Sequence, residues 1–161
     1  MSLLTNSEKL KLLKLNSFLG NADDELLMAI VGSAKLLEFE KNTFIYSRSD
    51  EADNFYILVE GQVGHPEVQV AEEQFSIAPY ICVPGQLFGF AAIVQGMPKR
   101  IISAHCEKIT KVLAIDGNWF QNLCKSYQAH GFELLRTLTR AYTGHEHKIA
   151  GRSGWISRSF C

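Results

Sequence analysis

Three regimes of hydrophobic and polar positions follow one another along this chain. Residues 7–37 read as helical. Leu10, Leu12, Leu13 and Leu15 form one apolar group, and Asn16-Ser17 and Gly20-Asn21 interrupt it. Ala22-Asp23-Asp24-Glu25 then opens a second helix, its acids placed where they favour the helix dipole. Leu26, Leu27, Ile30 and Val31 give that helix its apolar face. From Leu36 the pattern shortens into β-prone runs: Phe39, Phe44-Ile45, Phe55–Val59, Val68–Val70, Phe75–Ile77, Tyr80–Val83, Ile101–Ala104 and Lys111–Ile115. Polar turns at Lys41-Asn42, Ser49-Asp50-Glu51 and Glu60-Gly61 separate the first of these. About eight short strands at regular spacing predict a sandwich or a jelly-roll-like barrel. One helical interruption, Gly89–Val94, falls inside the strand series.

After Asp116-Gly117 the helical period returns. Trp119, Phe120, Leu123, Cys124, Tyr127, Phe132, Leu134, Leu135, Leu138 and Tyr142 recur mostly at three- and four-residue steps, and Gly144 is a plausible stop. The expected organisation is one domain over 1–144: helices at 7–37, a barrel at 38–116 and a C-terminal helix at 117–143. A loose tail covers 145–161. At 161 residues the chain is long enough to bury a real core.

Composition narrows the function classes. A net charge of −1 offers no basic stripe for nucleic acid. No apolar run approaches the ~18 residues needed to span a bilayer, and the N-terminus lacks a secretory pattern. Cys82, Cys106, Cys124 and Cys161 show no CxxC pairing and read as three core or interface thiols and one terminal thiol. Together these point to a cytoplasmic protein without a membrane partner.

The chain resembles a cyclic-nucleotide-binding domain, the sensor module of the catabolite-activator/Fnr regulators and of cyclic-nucleotide-dependent kinases and channels. An ordered set of landmarks carries the resemblance over residues 8–142. Asp50–Val63, with Gly61 at its turn, resembles the family's early hairpin; Pro84–Gly89 resembles the approach to its phosphate-binding cassette; Ile115-Asp116 resembles the exit from its last strand. The implied fold is mainly β, a jelly-roll β-barrel with N-terminal helices, a short cassette helix between strands and a C-terminal helix.

The cassette itself is Phe88-Gly89-Phe90-Ala91-Ala92-Ile93, followed by Pro98-Lys99-Arg100. A phosphate needs donors and positive charge. A helix start with a glycine supplies amides at close range, and an arginine clamps oxygens through its fork. Gly89, Phe90, Ala91, Ala92, Arg100 and Ile101 are the expected anion-binding residues, with Leu87, Phe88 and Ile102 lining the pocket. Counting from Pro98 nominates Lys99 for the basic role. Counting back from Ile115-Asp116, and forward from Phe88, nominates Arg100, and two counts against one favour it.

Phe90 stands where the family carries a glutamate that accepts a hydrogen bond from the ribose 2′-hydroxyl. Losing a charged hydrogen bond of ~1.5–3 kcal/mol should weaken binding about 10- to 150-fold. Tight cyclic AMP or cyclic GMP binding is therefore disfavoured, and no other cofactor is implied. Two readings of Phe90 stay open. With Ile93, Ile102 and Leu87 it makes an apolar pocket whose anion end is Arg100, or it plugs the pocket and the domain is a ligand-free scaffold.

Other motifs add little. His145-Glu146-His147 lies in the tail without a partner cluster; His65, His105 and His130 are isolated and fit no triad or zinc spacing. No nucleophile elbow, P-loop or paired-carboxylate arrangement occurs, so no catalytic or metal residues are expected. The C-terminal helix predicts either a homodimer seam through Phe132, Leu135, Leu138 and Tyr142 or burial within the chain. A helix-turn-helix is expected to be missing, so the chain alone should not read DNA. The expected function is a non-catalytic, ligand-sensing regulatory domain with a small anionic ligand. The alternatives are a dimerising scaffold and the sensor fragment of a transcription regulator.

Overall fold

The structure, a computed structural model, describes residues 3–69, 79–94, 96–127 and 130–138. Among these residues eight strands form two four-stranded antiparallel sheets. β1 (Lys35–Phe39), β8 (Thr110–Asp116), β3 (Asn54–Glu60) and β6 (Leu87–Phe88) make the first, in that order. β2 (Phe44–Tyr46), β7 (Ala104–Cys106), β4 (Val63–Gly64) and β5 (Tyr80–Ile81) make the second. The pairings β1 with β8, β2 with β7, β3 with β6 and β4 with β5 describe one long hairpin folded over on itself. That is the jelly-roll connection. Among the described residues the sheets do not close into the expected barrel: the chain crosses from β1 to β2 through a turn at residues 40–43 rather than by a continued ladder.

Helices explain why the first sheet is apolar on both faces. Phe55 and Ile57 of β3 and Leu113 and Ile115 of β8 point to one side, into a core with Leu13, Leu26, Leu27, Ile30, Phe120, Leu134 and Leu138. Tyr56 and Leu58, with Val112 and Ala114, point to the other side, into the roll interior with Tyr46, Val63, Ile81, Phe88 and Ala104. Alternation along each strand sorts the residues, and burial on both sides turns the usual apolar–polar pattern into a continuous apolar run.

α1 (Asn6–Leu15) starts at a reciprocal cap between Thr5 and Glu8. It stops at buried Asn16, whose Oδ1 accepts from the Phe18 and Leu19 amides and whose Nδ2 donates to Gly85. α2 (Asp24–Ser33) begins on the Asp23 cap. β1 starts at Lys35, so the helical reading of residues 35–37 gives way to a strand, paired in register from Lys35 opposite Ala114. Residues 66–69 form a short helix, α3 (Pro66–Gln69), where a strand was expected to begin at Val68; Pro66 suits a first helical turn. The run at 75–77 lies outside the described residues.

The expected single helix over 117–143 is interrupted. α4 (Gly117–Ser126) ends in a turn at Tyr127, and helical conformation is found again over 130–138. Gly131 lets the second stretch approach the first closely, since a Cβ there would lie 2.7 Å from the Cα of Cys124. Leu134 and Leu138 are buried within the chain, while Phe132 is exposed. Tyr142 and the 145–161 tail lie outside the described residues. Cys106 and Cys124 are buried free thiols, burial pushing the Cys124 thiol up to about 12, and Cys82 is disulfide-bonded rather than free. No helix of the described residues is long and apolar enough to cross a membrane.

Candidate functional site

The cassette forms one 3-10 turn, Phe90–Ala92, entered through Gly89 in the left-handed region at φ 82°. Only glycine takes that conformation without strain. It also lacks room for a side chain: a Cβ would stand 3.1 Å from Nη1 of Arg100 and 3.1 Å from the Tyr56 ring. Ala91 and Ala92 are buried beneath it. The expected short cassette helix is thus a single 3-10 turn of three residues.

Lys99 and Arg100 point opposite ways. Lys99 is exposed, bridges to Glu51 as an isolated strand pair and holds its carboxylate at 3.2 Å. Arg100 is 4% exposed. Its Nη1 donates to the Gly89 carbonyl at 3.1 Å, and its Nη2 donates to the Asn54 carbonyl at the start of β3. The guanidinium carbon lies 4.0 Å from the centre of the Tyr46 ring and 5.8 Å from that of Tyr56. Its Nε has no hydrogen-bond partner, and among the described residues no carboxylate comes within ion-pair distance. A cation out of water normally needs a counter-charge and full hydrogen bonding. This one has two carbonyls and two ring faces.

Tyr46, Tyr56 and Phe88 form the aromatic floor beside it. Tyr46 and Tyr56 stack at 5.9 Å, Tyr56 and Phe88 at 5.3 Å. Burial pushes the Tyr56 phenol above its ordinary value, while the Arg100 charge pulls the other way. Tyr46, Asn54 and Tyr56 were not singled out from the sequence. Period-two alternation along β3 is the signal that places Tyr56 on the inner face with Leu58.

The expected lining residues divide. Phe88 faces the interior. Leu87, Phe90 and Ile93 gather on the opposite face of β6, in or against the helix-side core. The half-buried Phe90 ring packs against the helix-side core. Ile102 is buried, and Ile101 is 42% exposed, turned outward like Lys99 two residues before it.

A second polar cluster lies three residues beyond Arg100. Glu67 of α3 accepts from both the amide and the hydroxyl of Ser103, each at 2.8 Å, and the Arg48 amide donates to the same hydroxyl. Burial raises the Glu67 carboxyl, but the Ser103 hydrogen bonds outweigh it and hold the group below its ordinary value. His65, 1% exposed, donates from Nδ1 to the Ser103 carbonyl at 2.8 Å; burial holds its pKa below the ordinary 6.5. Among the described residues no group of three His, Cys, Asp or Glu side chains could hold a metal. His145 and His147 lie outside them.

The cassette is fastened to α4. The Ala92 carbonyl accepts from Nε2 of Gln121 at 3.2 Å, and Gly117 packs so closely on Ala92 that a Cβ would lie 2.8 Å from its carbonyl carbon. The Gly117 amide donates to Asp53, next to the Asn54 that holds Arg100.

Solved structures share this architecture. A protein from Geobacter metallireducens GS-15, described as a cyclic nucleotide-binding protein, is 24% identical; the match covers 85% of this chain and 97% of that one, at a TM-score of 0.65. The N-terminal domain of a transcriptional regulator from Streptomyces coelicolor A3(2) is 18% identical, covering 89% and 97%, at 0.64. The sensor domain of the transcriptional regulator DNR from Pseudomonas aeruginosa is 16% identical, covering 92% and 97%, at 0.67. At these identities the likeness concerns the fold. No curated protein shows a significant match to the sequence. The sequence profile of the cyclic nucleotide-binding domain matches residues 36–127, which span both sheets, the cassette and α4, and on that match the chain belongs to the cyclic nucleotide-binding domain family.

Proposed function

We propose that this chain is a non-catalytic regulatory domain that senses a small anionic ligand through Arg100 and binds cyclic AMP and cyclic GMP weakly. The observation that carries the reading is the buried guanidinium without a carboxylate partner among the described residues. An anion beside it would supply the charge that the protein withholds. The missing acid at position 90 removes the ribose contact, and the Phe90 ring is committed to the helix-side core instead. The route from Gly89 and Ala92 through Gly117 and Gln121 carries occupancy to α4. The likeness to sensor domains of transcription regulators fits a signal passed to a further domain or partner.

A second reading has its own support. Two of the guanidinium nitrogens of Arg100 already hold the Gly89 and Asn54 carbonyls, so Arg100 also serves as a staple in a ligand-free scaffold.

Melting curves with cyclic AMP, cyclic GMP, inorganic phosphate and phenylacetate separate the two. Saturation at about 100 times Kd stabilises by ~2.7 kcal/mol, a rise of roughly 5–10 °C for a chain of this size. The sensor reading expects such a rise with at least one anion in the wild type and none in Arg100→Ala. No rise with any of the four leaves the scaffold. Phe90→Glu tests the account of the weak nucleotide affinity: cyclic AMP should bind this variant at least tenfold tighter than the wild type, and unchanged affinity would show that the missing acid is not the defect.

A further inference from the structure

Arg100 raises a problem that its hydrogen bonds do not solve: what holds a buried cation in place while leaving it able to receive an anion? A guanidinium offers two kinds of surface. Its edges carry five N–H donors, and its faces carry none. A carboxylate takes an edge and cancels the charge. An aromatic ring takes a face, stabilises the charge through its quadrupole, and leaves the donors alone. Here Tyr46 lies under the guanidinium, 4.0 Å from ring centre to carbon, with Tyr56 farther off at 5.8 Å. Both rings are nearly out of solvent, at 7% and 6% exposure, where such contacts are strongest. The two backbone carbonyls use two of the five donors and leave the charge intact.

We propose that Tyr46 is the positioning residue of the anion site. Its ring takes the place that a counter-ion would otherwise fill, and so keeps Arg100 fixed with its Nε–H unpartnered. This rests on the sensor reading of Arg100 and adds the element that sets its affinity. It also states the class of group recognised: an oxyanion, phosphate or carboxylate, bound in the guanidinium plane while the ring stays below it. Tyr46 of β2 and Arg100 of the loop before β7 both come from the second sheet, while the Asn54 and Gly89 carbonyls come from β3 and from the turn after β6 of the first. The full set of contacts around the guanidinium is therefore completed only when the two sheets pack together.

The test compares Tyr46→Phe, which keeps the ring, with Tyr46→Leu, which keeps an apolar side chain without a π face. Calorimetric titration with inorganic phosphate and with cyclic AMP is run on both and on the wild type. Tyr46→Phe should bind within about threefold of the wild type, and Tyr46→Leu about 10- to 30-fold more weakly, the size expected of a desolvated cation–π contact. Equal affinity in Tyr46→Leu and wild type overturns the role of Tyr46 while leaving the Arg100 receptor standing. Equal loss in both variants also overturns it, since the hydroxyl and not the ring would then matter.

A readout without ligand keeps the inference testable if the wild type binds neither probe, which would sink the sensor reading. The Arg100 Nε–H proton, seen in a nitrogen-resolved NMR spectrum and assigned with Arg100→Lys, should be shifted upfield by the ring beneath it. The shift should persist in Tyr46→Phe and vanish in Tyr46→Leu. An Arg100 signal at its ordinary position in the folded wild type shows that no ring holds the guanidinium.

Discussion

Replacing Gly117 by alanine measures how tightly the cassette is seated on α4. A Cβ at this position would lie 2.8 Å from the carbonyl carbon of Ala92 and 2.9 Å from its Cβ, with the carbonyl oxygen closer still. Ordinary carbon–carbon contacts sit at ~3.5–4.0 Å, so the turn or the start of the helix must move by about 1 Å. Both neighbours resist. The Gly117 amide is bonded to Asp53 at 2.8 Å, and the Ala92 carbonyl is held by Gln121 at 3.2 Å. Overpacking of this kind costs ~1–3 kcal/mol. Against it stands the better helix propensity of alanine, at most ~1 kcal/mol and less in a first turn. The clash wins.

The internal control is Gly32→Ala in α2, where nothing lies within 4 Å of the new methyl. There only propensity acts, and the variant should gain about 0.5–1 kcal/mol. Urea denaturation at pH 7, followed by circular dichroism, gives both values. The same chemical change should lower the midpoint at position 117 and raise it at 32, with melting temperatures moving roughly 2–4 °C per kcal/mol. A Gly117→Ala protein as stable as the wild type would mean that the cassette does not rest on α4, and the proposed route from Arg100 to the C-terminal helices would fail with it.

Further outcomes follow from the same geometry. Gly89→Ala forces a side chain into the left-handed region, against Arg100 and Tyr56, and should cost about 1–3 kcal/mol in a denaturant titration. His65 has a folded pKa below its ordinary 6.5 because of burial. The unfolded chain therefore takes up that proton first, and the stability contribution, complete above pH 6.5, declines as the pH falls below it. Unfolding free energies from pH 8 to 5 should show this slope, and His65→Gln should flatten it; an unchanged slope would remove His65 as its source. Ser103→Ala deletes a donor to Glu67 and the acceptor for the Arg48 amide, for a loss of about 1–3 kcal/mol at pH 7. Because Glu67 is held below its ordinary value mainly through Ser103, its part of the stability is present above pH 4.5 and lost on acidification. The difference between Ser103→Ala and wild type should thus narrow as the pH is lowered through this range.

The local pattern was enough for most element types and for the family, though not for residues 35–37 or 66–69. Leu26, Leu27, Ile30 and Val31 repeat at helical spacing, and all four are buried on one face of α2. The inward turn of Arg100 and the outward turn of Lys99 also follow from chain counting, because one step along an extended segment reverses the side chain. The absence of the ribose acid is legible in the single letter at position 90.

Everything that concerns how distant segments meet required the fold. Phe90 looked like a pocket residue or a plug because it sits in the cassette. Its half-buried ring packs against the helix-side core, a surface supplied in part by residues 12 to 31 and 113 to 138. The break of the C-terminal helix is hidden because the apolar spacing runs on through Tyr127, and helical period says nothing about where a helix is interrupted. Tyr46 and Asn54 carry no motif. They belong to the site because the two sheets pack face to face, and that packing brings a ring and a carbonyl from separate strands to one guanidinium. Local alternation and chain counting are enough to say which residues share a face and which basic side chain turns inward. What surrounds that side chain comes from packing alone, since contacts between residues 46, 54, 89 and 100 depend on the folding over of the long hairpin and not on any local preference.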